Sequence, residues 1–248
     1  MGPLRALWRL VRTGLHVLRG IAIVALRFPS LDEAGREKQI GRWSAGLLRV
    51  AGLRLHARGL PHAGATLVLA NHVSWLDIAA IHAILPQARF VSKADVLRWP
   101  LLGWLIRSVG TLFIERERKR DALRVVHQVA QALRDGQTVA VFPEGTTGDG
   151  RTVMPFHANL LQAAIATGTP VQPVLLRYSD ARHAVSPAVE FLGDTTLLGS
   201  VWRVLTAPDL QVHVELLSAQ GSRHADRRAL AQHLRECIAE RLDAAVGP

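Results

Sequence analysis

A single cysteine, Cys237, stands in 248 residues. No intramolecular disulfide can form, so a stapled secreted scaffold is excluded and a reducing compartment is the natural setting. Homopolymer tracts and internal repeats are missing, and Leu, Ala and Val dominate over modest Pro, Ser and Gln, which excludes disorder and solenoid arrays. Aromatic residues make up only 5% of the chain and no zinc-finger, RNP or helix-turn-helix signature occurs. A net charge of +10 therefore does not by itself indicate nucleic acid. The eleven histidines contain no His-Glu-x-x-His and the lone cysteine makes no metal-ligand pair. His56 and His62 merely flank a Gly-Leu-Pro turn, so no metal centre is expected. A Gly-x-Ser-x-Gly nucleophile elbow is absent as well.

Acidic residues are missing from residues 1–29, where Arg5, Arg9, Arg12, Arg19 and Arg27 carry half of the net positive charge. Wound as a helix at about 100° per residue, this segment places those arginines and His16 within about 40° of one line. Leu4, Leu7, Trp8, Leu10, Val11, Leu15, Val17, Leu18, Ile21, Ile23, Val24, Leu26 and Phe28 fill the rest of the circumference. Spanning a bilayer would set Arg12 and Arg19 near its middle at roughly 2.5–3.5 kcal/mol each. Lying in the headgroup layer instead lets them meet anionic lipid while the leucines dip below. The longest uncharged apolar run, 20–26, is bounded by arginines and no A-x-A site follows, unlike a signal peptide.

After Phe28-Pro29-Ser30, residues 32–50 read as a second helix and 53–57 as a short strand. Further strands are expected at 66–70, 89–91, 111–114, 138–142, 171–176, 188–191 and 212–217. Helical patterns fall at 78–85, 101–108, 121–135, 159–167 and 225–245, with Gly136 and Gly168 as stops. Such alternation predicts an α/β fold with a largely parallel sheet flanked by helices. An N-terminal amphipathic, membrane-binding helical leader over 1–50 precedes the α/β domain over 51–248.

Three strand ends carry residues suited to chemistry. Asn71-His72-Val-Ser-Trp-Leu-Asp77 follows an apolar strand. With His72 in the turn and Asp77 in the first turn of the next helix, the carboxylate can fold back on one imidazole nitrogen and leave the other free as a general base. Phe113-Ile-Glu-Arg116-Glu-Arg-Lys119-Arg-Asp crowds basic residues at another strand exit, where an anion can be held. Phe142-Pro143-Glu144-Gly145-Thr146-Thr147 opens a Gly-rich turn whose backbone N–H groups suit oxyanions. A fourth segment, Pro170-Val-Gln-Pro173, reads as edge-strand geometry because of its two prolines.

In this order the four segments, over about residues 66–176, resemble the glycerolipid acyltransferase family, of the 1-acylglycerol-3-phosphate acyltransferase type. The leader and Phe90-Val-Ser-Lys93 are similar to that family too. The resemblance implies transfer of a fatty acyl group from acyl-CoA or acyl carrier protein to a lysophospholipid hydroxyl, with no cofactor or metal. It makes His72 the base and Asp77 its partner, gives the acceptor's phosphate to Arg116, and places Glu144, Gly145, Thr146 and Lys93 in substrate binding. Asn71, Phe113, Pro143 and Pro173 support the motifs. Thr147 stands where the family often has arginine, and Lys119 where a second arginine follows Arg116. A lysolipid without phosphate, such as lyso-ornithine lipid, therefore stays open as acceptor. A thioester is already activated, so direct attack needs no acyl-enzyme. The expected place is the cytoplasmic face of an inner membrane, on an anionic bilayer, with no nucleic-acid partner. A noncatalytic membrane-surface module, a basic nucleic-acid-binding protein and a metallohydrolase are the alternative classes.

Overall fold

The structure is a computed structural model that describes residues 3–93, 100–114 and 119–247. Two helices lead: α1 (Pro3–Leu26) and α2 (Glu33–Ala51), joined by a 3-10 turn at Phe28–Ser30. The strands are β1 (Arg54–Arg58), β2 (Thr66–Ala70), β3 (Arg89–Lys93), β4 (Leu112–Ile114), β5 (Thr138–Val141), β6 (Val171–Ser179) and β7 (Gln211–Leu216). Between and after them lie α3 (Asp77–Ile84), α4 (Pro100–Ser108), α5 (Lys119–Arg134), α6 (Leu161–Thr167), α7 (Leu197–Thr206) and α8 (Arg227–Val246).

One sheet results, in the order β1-β7-β6-β2-β5-β3-β4. Every neighbouring pair is parallel except β6 with β7. Crossover helices cover both faces, which is why β2 and β5 are buried along their whole length. Alternation splits β2 between two cores: Val68 and Ala70 pack with α2, α3 and α7, while Leu67 and Leu69 pack with α5, α6 and α8.

Two expectations are corrected. Residues 188–191 are not a strand; Pro187–Val189 form a 3-10 turn. Pro187 fixes φ and offers no N–H, and the Ser186 hydroxyl accepts from the Ala188 amide, which favours a turn over a ladder. Nor does Pro173 mark an edge, since β6 lies between β2 and β7 and Pro173 pairs with Leu69. Its carbonyl still accepts from Leu217, and the neighbouring buried Gln172 satisfies the Leu60 and Leu217 carbonyls and the His62 amide. Helix α7 forms where the sequence patterns predict no element, and Thr196 caps it by accepting from the Gly199 amide.

The leader is built the other way round from an ordinary surface helix. Ala6, Arg9, Thr13, His16 and Gly20 face the protein, while Leu4, Leu7, Trp8, Leu10, Val11, Leu15, Val17, Leu18 and Leu26 are exposed. Arg9 donates to the carbonyls of Leu205 and Ala207 at the end of α7, both at 3.1 Å. His16 and Trp43 exchange hydrogen bonds with each other's carbonyl oxygen at 2.8 and 3.0 Å, and their rings stack. Gly20 admits the Trp43 indole where a Cβ would collide with it. The basic stripe read from the wheel is thus divided: Arg9 and His16 tie α1 to the body, and Arg5, Arg12, Arg19 and Arg27 remain exposed. Among the described residues no helix is long and apolar enough to cross a membrane.

Candidate active site

The site begins where β2 stops. Asn71, buried, donates through Nδ2 to the Leu176 carbonyl (2.9 Å) and accepts at Oδ1 from the Leu176 amide (2.7 Å). Its side chain thus mimics the backbone of one more ladder residue and lets the chain leave the sheet without orphaning β6.

The freed chain folds around Asp77, the first residue of α3, whose carboxylate is fully buried. Its Oδ2 accepts from His72 Nδ1 (2.7 Å) and from the backbone amides of Val73 (2.7 Å) and Ser74 (2.9 Å). Its Oδ1 accepts from the Tyr178 hydroxyl at 2.6 Å. Burial, and then the Asp77 charge, hold the Tyr178 pKa well above its ordinary value, so the phenol stays protonated and donating. A carboxylate can only accept, so Nδ1 carries the proton and Nε2 holds a lone pair. The His72 side chain is 20% exposed, and no described residue hydrogen-bonds its Nε2. Phe142 stacks on the imidazole at 4.0 Å between centroids and Phe90 stacks on Phe142, so ring orientation is set by packing as well as by Asp77.

Glu144 is turned inward. Oε2 accepts from the His72 amide (2.9 Å) and Oε1 from the Met154 amide (3.1 Å). Its carboxylate therefore ties the β5 exit loop to the His72 loop. Burial pushes its pKa up to about 7 against the pull of those two N–H donors. The Gly148 amide adds a 2.7 Å bond to the His72 carbonyl. Gly145 has φ +74, a left-handed turn that suits glycine, and the Pro143 carbonyl accepts from His157. Thr146 is exposed beside this turn, and Thr147 spends its hydroxyl on the Phe191 carbonyl.

The fold therefore brings together Asn71, His72, Asp77, Pro143, Glu144, Gly145 and Thr146 at the ends of β2 and β5, with Pro173 in the adjoining β6. Lys93 and Phe113 belong to β3 and β4, but their side chains, like the whole of Arg116, lie outside the described residues. Sequence reasoning missed Tyr178, which lies 101 residues from its partner Asp77. It is the chain's single tyrosine; a lone tyrosine late in a buried strand was the signal available. Also missed was Trp75, whose indole N–H donates to Ser200 on α7 and ties the His72 loop to that helix.

The Acyltransferase family model matches residues 53–177. A lyso-ornithine lipid O-acyltransferase from Pseudomonas aeruginosa is 35% identical over 96% of this chain and 93% of its own length. A 1-acyl-sn-glycerol-3-phosphate acyltransferase from Neisseria meningitidis is 36% identical over 81% of this chain and 78% of its own. In fold, the chain is similar to the 1-acyl-sn-glycerophosphate acyltransferase PlsC of Thermotoga maritima, with a TM-score of 0.70, 20% identity, and coverage of 97% of this chain and 98% of that one.

Two expectations follow from the buried carboxylates. Tyr178→Phe leaves Asp77 Oδ1 without its donor in a closed interior, which costs about 1–3 kcal/mol; chemical denaturation of both proteins reads the difference, and equal midpoints contradict it. Glu144 keeps its proton to about pH 7 in the folded chain but releases it near 4.5 when unfolded. Its contribution to stability is thus complete below pH 4.5 and is lost as pH rises through about 7, by about 3 kcal/mol in all. Glu144→Gln, with no proton to lose and one amide contact fewer, is less stable at pH 5 and lacks this slope; a slope equal to that of the parent refutes the assignment.

Proposed function

The chain belongs to the acyltransferase family, and from that premise we propose that it moves a fatty acyl group from an acyl thioester, acyl-CoA or acyl carrier protein, to the free hydroxyl of a lysolipid at a membrane surface. The acceptor we favour is 1-acyl-sn-glycerol-3-phosphate, giving phosphatidic acid. The observation that carries the reading is His72 held on Asp77 through Nδ1 with Nε2 open.

In the reaction, Nε2 takes the hydroxyl proton as the acceptor oxygen attacks the thioester carbonyl. The tetrahedral adduct then expels the thiolate, which recovers the proton from the imidazolium. One C–O bond forms, one C–S bond breaks, and no redox change occurs. Asp77 holds the tautomer and balances the transient charge. Direct transfer agrees with the side chains nearby: Ser74 is fully buried, and Cys237 sits on α8. Arg116, with Lys93, would hold the acceptor's phosphate, and Glu144 acts by fixing the His72 amide. Gly145 and Thr146, in the turn that follows Glu144, would contact the acceptor.

The second reading is a lyso-ornithine acceptor. It is favoured by Thr147, a neutral residue already engaged by the Phe191 carbonyl where the family often carries a cation. The exposed leucines of α1, flanked by Arg5, Arg12 and Arg19, support seating in the headgroup layer. On chemical grounds we assign this to the cytoplasmic face of the inner membrane.

Thiol release from acyl-CoA and acyl carrier protein, on anionic liposomes carrying lysophosphatidate, other lysophospholipids or lyso-ornithine lipid, tests the reading. Acceptor-dependent release is expected from the parent and at least about a thousandfold less from folded His72→Ala. Near-parental turnover by that variant sinks the mechanism, and the preferred acceptor decides between the two readings. For Arg116→Ala, the lysophosphatidate KM is expected to rise about tenfold or more with the thioester KM unchanged; equal changes in both contradict a phosphate contact.

A further inference from the structure

The α1–α2 hairpin contains a groove of about 250 Å³ lined by Arg19, Ala22, Ile23, Leu26, Arg27 and Gln39. We propose that this groove binds the phosphate headgroup of an anionic glycerophospholipid, at a place separate from the candidate active site. The proposal rests on the membrane-surface reading given above.

The chemistry of the lining divides into two parts. Arg19 and Arg27 supply forked donors suited to a phosphate, and Gln39 adds an amide. Ala22, Ile23 and Leu26 supply an apolar wall for the start of an acyl chain. Neither arginine pairs with a carboxylate among the described residues, no acid lines the groove, and residues 1–29 contain none. The two guanidiniums thus face an opening with no protein counter-charge.

The groove is also preformed. On one side α1 is clamped to α2 by the mutual hydrogen bonds of His16 and Trp43 and by the close approach at Gly20. On the other, Arg36 donates to the Phe28 carbonyl (3.0 Å) and holds the connecting turn. A site whose walls are fixed beforehand loses little entropy on binding. Its orientation suits a lipid: Ala22 and Leu26 continue the exposed line of Leu4, Leu7, Val11, Leu15 and Leu18, so the groove opens toward the side that carries the apolar surface. A headgroup between the arginines would leave its chains running along that surface into the bilayer.

General surface electrostatics predicts that any two arginines removed from residues 1–29 weaken binding alike, and this sets the test. The full chain, its Arg19→Gln/Arg27→Gln variant and a charge-matched Arg5→Gln/Arg12→Gln variant are co-sedimented with phosphatidylcholine vesicles, with and without phosphatidylglycerol. The groove pair is expected to lose at least about tenfold more affinity for the phosphatidylglycerol vesicles than the matched pair. Equal losses overturn the site while leaving membrane binding intact. Failure of the parent to bind any vesicle overturns the membrane reading itself. Inorganic phosphate at matched ionic strength is expected not to displace the parent; displacement that depends on Arg19 and Arg27 would mark a free-phosphate site and overturn the lipid assignment.

Discussion

The carboxylate of Asp77 has no access to water, and the site is arranged around that fact. A buried charge is tolerated only when its lone pairs are filled, and each donor it lacks costs stability. Here they are filled by His72, by the amides of Val73 and Ser74, and by the Tyr178 hydroxyl. Three of these donors come from the loop that Asp77 terminates, so the charge dictates the loop's path. The fourth comes from β6, so the loop closes only once β6 stands beside β2. Asn71 reinforces the same dependence, because both halves of its amide pair with Leu176 of that strand. The imidazole is thus aimed by the sheet as much as by its neighbours in sequence.

Glu144 is the second inward carboxylate and works differently. It accepts from two backbone amides, and burial lifts its pKa toward neutrality. Asp77 instead gathers a denser shell of donors. The two acids come from the first and third motifs and act on different parts of one residue: Asp77 orients the His72 side chain, and Glu144 holds the His72 backbone. The leader adds a further inversion. Its polar residues Arg9 and His16 are spent on carbonyls of α7 and α2, which leaves leucine and tryptophan facing outward. That arrangement leaves an exposed apolar face along α1.

Much of the architecture was legible because it rests on local signals. Buried strands show continuous Val, Leu and Ala, and helices ended at Gly136 and Gly168 as the αL cap rule requires. The His72–Asp77 contact was legible as a possibility, because a histidine in the turn lets a carboxylate at the start of the next helix fold back on it, and the ordered motifs of the family singled it out. Where the reading failed, a local cue met a nonlocal partner. The prolines of β6 look like edge markers until Gln172 and the flanking strands supply the bonds they lack. The run at 188–191 looks like a strand until no partner arrives. On the wheel, Arg9 and Arg12 belong to one stripe, and only the position of α7 separates them.

What the sequence by itself determined is the α/β class, the family and the choice of His72 and Asp77 as the candidate pair. Each depends on spacing within a few residues or on a short ordered motif. What only the tertiary structure decided is the strand order, the role of Tyr178 as the donor to Asp77, the inward turn of Glu144 and the outward apolar face of α1. These depend on contacts between residues far apart in the chain, whose geometry follows from packing and from satisfying buried polar groups, and neither is written in any local pattern.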